Sequence, residues 1–181
     1  MIDSLTLLLT RQSNGSLTEP APSKNDLDLI LQAGMRVPDH GGLMPWHFLI
    51  VTDQGLKKLS DIFVETVDKS DKKKLDKTKK KPFRAPMIIV ISTKYRSHQK
   101  VPHQEQLITA GCCAHAMQMA AFSLGYGAMW RTGDLAYNQE IKKSLSVDLT
   151  DDIVGFLYLG TSSKASNYKE SKPYQDKVSY L

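Results

Sequence analysis

The sequence predicts an α/β or α+β chain built on a single-layer sheet. Three observations carry that prediction. Four β-rich runs, at residues 48–52, 86–92, 125–133 and 153–160, are separated by segments with helical apolar spacing. No internal repeat is evident. The 181 residues, 41% hydrophobic and 24% charged, suffice for one sizeable core, so residues 1–181 are read as one domain.

Asp3 and Ser4 open a short amphipathic helix with Leu5, Leu8 and Leu9 on one face, and Asn14-Gly15 signals the turn after it. Arg11, Gln12 and Ser13 fall where that helix gives way to a loop, which presents a guanidinium, an amide and a hydroxyl together. The alternative is an ordinary polar helix end, with Arg favourable beside the C-terminal dipole. Ser23 followed by Asp26 reads as an N-cap with an acidic residue three positions on, and Leu27, Ile30, Leu31 and Met35 mark a helix over 24–35.

That helix delivers the chain into the loop of residues 36–48, which holds two prolines, two glycines, two histidines, a Trp and an Arg. Pro38 and Pro45 restrict the backbone, while Gly41 and Gly42 permit conformations closed to other residues. Arg36 offers a planar five-donor fork, His40 a switchable donor or acceptor, and Trp46 an apolar face with one N–H. Such a set suits a flat, partly anionic ligand; the alternative is a loop docked on the core by Trp46 and Phe48.

The run 48–52 reads as a buried strand, and Leu56, Leu59, Ile62, Phe63 and Val67 mark a helix over 55–67. Residues 69–82 lack apolar periodicity and read as a solvated, mobile helix or loop. Residues 69–84 hold nine Lys or Arg against two Asp, so the net charge of +5 belongs to this one segment and the other 165 residues sum to −2. Nucleic-acid binding through it is disfavoured, because no aromatics are interleaved with the lysines.

After the strand at 86–92, a helix over 104–124 carries apolar or small residues on nearly every side and is expected to be buried all round. His115, Gln118 and its Ala/Gly richness argue against a membrane span. Its small residues suit close approach by another helix, as at the centre of a dimer. The run 125–133 ends in Trp130-Arg131-Thr132-Gly133, which sets an Arg and a Thr at a strand end. Its Gly-x-Gly is no dinucleotide fingerprint, because the helix precedes the turn. A helix over 138–145, the strand at 153–160 and a polar, extended tail after Thr161 complete the chain, and the tail is expected to wrap a partner subunit.

Adjacent Cys112 and Cys113 cannot staple a distant loop, and the five histidines show no metal-ligand spacing, so no metal is expected. The N-terminal residues carry no charged-then-apolar leader pattern, and a cytoplasmic location is expected.

Arg11-Gln12-Ser13, Arg36-Val37-Pro38-Asp39-His40 leading to Pro45-Trp46-His47-Phe48, Gly125-Tyr126-Gly127, Trp130-Arg131-Thr132-Gly133 and the run 155–160, in that order, resemble the nitroreductase family, in particular its compact single-domain bacterial branch. The resemblance implies an α+β fold with a central mixed β-sheet flanked by helices, an extended C-terminal tail and an intertwined homodimer. It implies FMN at each subunit interface, reduced by NAD(P)H. Arg11, Gln12 and Ser13 would bind FMN phosphate and ribityl from one subunit, and Arg36 and His40 would reach the same flavin from the other. Trp130, Arg131 and Thr132 would line it from the first, and Ala120, Ala121, Phe122, Ser123, Leu124 and Gly125 would lie near the nicotinamide nucleotide.

This sequence departs from the family pattern at three places. Gln12 stands where a second Arg is common, Gly41-Gly42-Leu43-Met44 replaces the usual Asn and Gln before Pro-Trp, and the tail lacks a frequent phosphate-binding Arg, for which Lys164 is a candidate substitute without an assigned place. The implied activity is ping-pong hydride transfer through flavin N5 to a nitroaromatic or quinone-like acceptor, with no catalytic acid, base or nucleophile from the protein. The alternatives are a flavin-binding protein of the same fold without reductase activity and a nucleic-acid-binding module using residues 69–84.

Overall fold

The computed structural model describes residues 3–162 and 173–181. The chain order is α1 (Ser4–Thr10), β1 (Leu17–Thr18), α2 (Lys24–Gly34), β2 (Trp46–Thr52), α3 (Gln54–Glu65), α4 (Lys72–Lys79), β3 (Met87–Thr93), α5 (His103–Ser123), β4 (Gly127–Arg131), α6 (Asp134–Tyr137), α7 (Gln139–Ser144) and β5 (Ile153–Ser162). Short 3₁₀ turns occupy His40–Gly42, Pro82–Arg84 and Gln175–Lys177.

β5 is the organising strand. It pairs with β3 along one length, with β4 over Phe156 to Gly160, and with β1 through Thr161 and Ser162, while β2 pairs with β3. Each of these pairings is antiparallel, within the α+β sheet flanked by helices that the resemblance implies. The two-residue β1 went unread in the sequence, because nothing in Leu17-Thr18 distinguishes it from a loop.

Alternation along β3 divides the core in two, since side chains of successive strand residues point to opposite faces. Met87, Ile89 and Ile91 join Ile30 of α2 and Ala110, Ala114 and Met117 of α5. Ile88 and Val90 join Leu56, Leu59 and Phe63 of α3 and Ile141 of α7 on the other face. Every residue of β3 is buried, and Met87 to Ile91 run apolar without interruption before Ser92 and Thr93. The α2–α5 contact is close: a Cβ on Gly34 would stand 3.0 Å from Met117 Cγ.

Several expectations are corrected. The strand expected at 48–52 begins at Trp46, so Trp46 and His47 belong to β2 and not to the loop. α5 is not buried all round, because Leu107, Ile108, Cys112 and His115 are exposed. α1 has no buried residue, and Leu5, Leu8 and Leu9 are exposed. The Lys-rich segment is a docked helix. Asp71 caps α4 by accepting from Lys74 N, Ser60 of α3 donates to the Lys79 carbonyl (2.8 Å), and Thr78 and Pro82 are buried. Two anchoring residues hidden among lysines produce no apolar period. The tail's expected wrapping falls partly on residues 163–172, outside the described residues, as does Lys164; residues 173–181 are exposed.

Among the described residues no helix is long and apolar enough to cross a membrane, and no cluster of His, Cys, Asp or Glu has metal-binding geometry.

Candidate functional site

The end of β4 is where the sequence-selected residues and the cationic ones meet. Trp130 packs its indole toward Gly111 of α5 and donates Nε1–H to the Val154 carbonyl (3.1 Å). A Cβ on Gly155 would stand 2.6 Å from Trp130 Cδ1 and 2.8 Å from the Arg131 carbonyl oxygen, so only glycine lets β5 pass beneath this indole. Arg131 points to the opposite face, its guanidinium 5.4 Å from the centre of the Tyr158 ring, within cation–π range.

There it lines a cavity of about 440 Å³ with Lys81, Arg84, Met129, Trp130, Thr132, Gly133, Leu135, Phe156 and Tyr158. That volume falls within the range of small-molecule sites. Lys81 and Arg84 come from the stretch that joins α4 to β3, which the sequence offered only as part of a solvated segment or a nucleic-acid-binding module. The available signal was position: they flank Pro82 and Phe83, where the lysine run stops and the chain turns into β3.

The cavity is electropositive. Burial, then Arg84, then the lysines of α4 lower the Lys81 pKa, with Asp134 opposing. Burial and Arg84 likewise lower that of Arg131. Among the described residues no ion pair involves Lys81, Arg84 or Arg131, and Arg131 Nε is a buried donor without a partner. Crowded cations and an unused N–H are costly in an empty cavity and favourable beside an anion or carbonyl-rich ring.

The loop after α1 reaches the same region. Asn14 N donates to the Ala128 carbonyl (2.8 Å), and a Cβ on Gly15 would stand 3.0 Å from Arg131 Nη2. Ser13 Oγ accepts from Arg11 Nη1 and from Gln118 Nε2, both at 3.3 Å. Gln118 is buried in α5 and also donates to the Ala128 carbonyl, so one amide ties the Ser13 loop to β4. A polar residue on an otherwise apolar helix was the signal for it. Gln12 is half-buried beside them.

Arg36, His40 and the segment from Ala120 to Gly125 do not line this cavity within one chain. Arg36 is exposed just past α2, and His40 Nδ1 lies 2.8 Å from Glu105 Oε2 on α5. Trp46 donates to the Met35 sulfur, and Met44 N to the Asp39 carboxylate, which close the loop between α2 and β2 on itself. Ala121 is fully buried, and the turn after α5 is closed by bonds from Leu124 N, Gly125 N and Tyr126 N, with Gly125 at φ +88°. This turn precedes β4 and the cavity follows it, so the two lie at opposite ends of that strand.

Comparison with known proteins gives the lineage. The sequence profile described as "Nitroreductase family" matches residues 8–161. The chain belongs to the nitroreductase family. It is 41% identical over 179 residues to the Escherichia coli (strain K12) protein named "Putative NAD(P)H nitroreductase YdjA", covering 96% of this chain and 98% of that one. It is 35% identical over 184 residues to a Haemophilus influenzae protein named "Putative NAD(P)H nitroreductase", covering 99% and 100%. Among solved structures, a nitroreductase-like family protein from Bacillus cereus superposes with a TM-score of 0.89 at 22% identity over 100% of this chain and 97% of that one. A nitroreductase from Bacteroides fragilis, solved with bound FMN, gives 0.76 at 22% identity over 100% of both chains. This nitroreductase-family chain thus shares the fold of both.

Proposed function

We propose that this protein binds FMN and works as an NAD(P)H-dependent oxidoreductase whose acceptors are nitroaromatic or quinone-like. The observation that carries the reading is the cavity at the end of β4, where the Trp130–Arg131–Thr132 stretch meets Lys81 and Arg84; among the described residues none of these three cations has a carboxylate partner, and Arg131 Nε is buried without an acceptor. FMN solved with the Bacteroides fragilis relative, and the NAD(P)H of the relatives' names, support the choice of cofactor and reductant. When bound, FMN supplies two-electron transfer between the nicotinamide nucleotide and the acceptor, one after the other.

The chain's residues hold and orient. Arg11 and Ser13 take the phosphate end, with Gln12 beside the ribityl chain; the bond from Gln118 keeps the Ser13 hydroxyl in place. Arg131, Lys81 and Arg84 face the polar edge of the ring system and Trp130 and Thr132 its border, where charge-assisted donors are strongest in a partly dry site. No side chain is needed as acid, base or nucleophile.

The protein acts as a homodimer sharing FMN between subunits. Support comes from the exposed apolar residues of α1 and α5, Leu5, Leu8, Leu9, Leu107 and Ile108. In that assembly Arg36 and His40 reach the flavin from the partner subunit.

The test is the visible spectrum of the purified protein with FMN, followed by anaerobic NADH or NADPH. Bound flavin that bleaches with either nucleotide and recovers with a nitroaromatic or quinone is the expected result. A protein that takes up no flavin overturns the reading.

A further inference from the structure

The lysines of α4 point beyond the cavity. Lys81 keeps helical backbone angles (φ −59°, ψ −46°), so the face of α4 that carries Lys74 and Lys77 continues to it at spacings of three and four residues. Lys74 and Lys77 are exposed, yet close enough that their charges bear on Lys81. With α4 held against α3 by Ser60 and the buried Thr78, this face is fixed in direction. At 1.5 Å per residue the row is about 10 Å long, enough for more than one phosphate group.

We infer that Lys74, Lys77 and Lys81 form a phosphate track leading into the cavity, and that the track makes the 2′-phosphorylated nicotinamide dinucleotide the preferred reductant. The inference rests on the functional reading above. Both dinucleotides carry a pyrophosphate, but only the 2′-phosphorylated one brings a further dianionic group, with a charge of about −1.5 to −2 at neutral pH. The lysine-rich stretch carries +7 while the other 165 residues sum to −2, so the row belongs to the chain's most positive segment. A charged approach path acts chiefly on association and weakens with salt.

The experiment compares the wild type with Lys74→Gln/Lys77→Gln and with Lys24→Glu. The last makes the same two-unit charge change on α2, which packs on the other face of the sheet. Calorimetry with 2′,5′-ADP and 5′-AMP reads the track directly. Stopped-flow flavin bleaching by NADPH and NADH reads its effect on selectivity.

The expected result is tighter binding of 2′,5′-ADP than of 5′-AMP. The NADPH/NADH ratio of bimolecular rate constants should fall about fivefold in the double variant and towards that value in the wild type at high salt. Lys24→Glu should keep the ratio. Equal binding of the two nucleotides by the wild type, or an equal fall of the ratio in Lys24→Glu, overturns the inference. A flavin that neither dinucleotide bleaches refutes the functional reading instead, and the calorimetry still reports on the track.

Discussion

Gly155→Ala is the substitution with the sharpest structural consequence. The new methyl would stand 2.6 Å from Trp130 Cδ1 and 2.8 Å from the Arg131 carbonyl oxygen. The indole can give way only by losing its bond to the Val154 carbonyl, and the carbonyl only by moving β4 off β5, where Arg131 pairs with Phe156. Overpacking of this kind costs about 1–3 kcal/mol, and a lost hydrogen bond about 1 kcal/mol more. For a chain of this size about 3 kcal/mol corresponds to a Tm lower by roughly 6–12 °C.

A thermal melt followed by circular dichroism measures this, and a second substitution dissects it. Trp130→Leu in the Gly155→Ala background removes the side-chain clash but not the clash with backbone oxygen. About half the loss should therefore return relative to the sum of the single variants. A Gly155→Ala protein melting within about 1 °C of the wild type, or strict additivity of the two changes, refutes the argument that glycine is required by the indole.

Further consequences concern the cavity, the assembly and pH. Arg131→Met removes a buried, unpartnered N–H, so the flavin-free protein should melt no lower than the wild type, while FMN affinity, followed by fluorescence quenching, falls about tenfold or more. Ile108→Asp puts a charge on the exposed side of α5; sedimentation velocity should show a monomer that retains flavin poorly, and an unchanged dimer would refute that interface. Burial and the Asp152 carboxylate push the Tyr95 phenol up to about 12 from its ordinary 10.0. The folded state therefore holds this proton more tightly, and the stability it contributes is complete below pH 10 and lost as pH rises towards 12. Urea denaturation across that window should slope less steeply with pH for Tyr95→Phe than for the wild type.

Much of the framework was legible because it depends on local pattern. Ser23 and Asp26 form the expected cap, with Asp26 N donating to Ser23 Oγ (3.2 Å), and α2 follows. The apolar run that opens the expected strand at 86–92 is read correctly as a strand, and β3 occupies Met87–Thr93. Trp130 to Thr132 stood out because they set an aromatic, a guanidinium and a hydroxyl at a strand end beside Gly133. What stayed hidden was set by distant contacts. Lys81 and Arg84 became cavity residues only when Ser60 and Thr78 docked α4, and a lysine run gives no hint of which members face inward. Gln118 was treated as an argument against a membrane span, whereas its position in the fold makes it the tie between the Ser13 loop and β4. The composition of α5 reports apolarity on nearly every side but not which body supplies the cover, and one chain leaves Leu107 and Ile108 exposed.

The bare helix α1 has a consequence for how the molecule responds to dilution. It has only seven residues, its Asp3 cap is its main local support, and none of its side chains is buried by its own chain. Helices this short are marginal in water without a packed face. On the dimeric reading, α1 gains that face from association, so its winding is governed by mass action while the sheet remains indifferent to protein concentration. The amino-terminal turns then become a reporter of subunit exchange, and protease nicking there should accelerate as the sample is thinned.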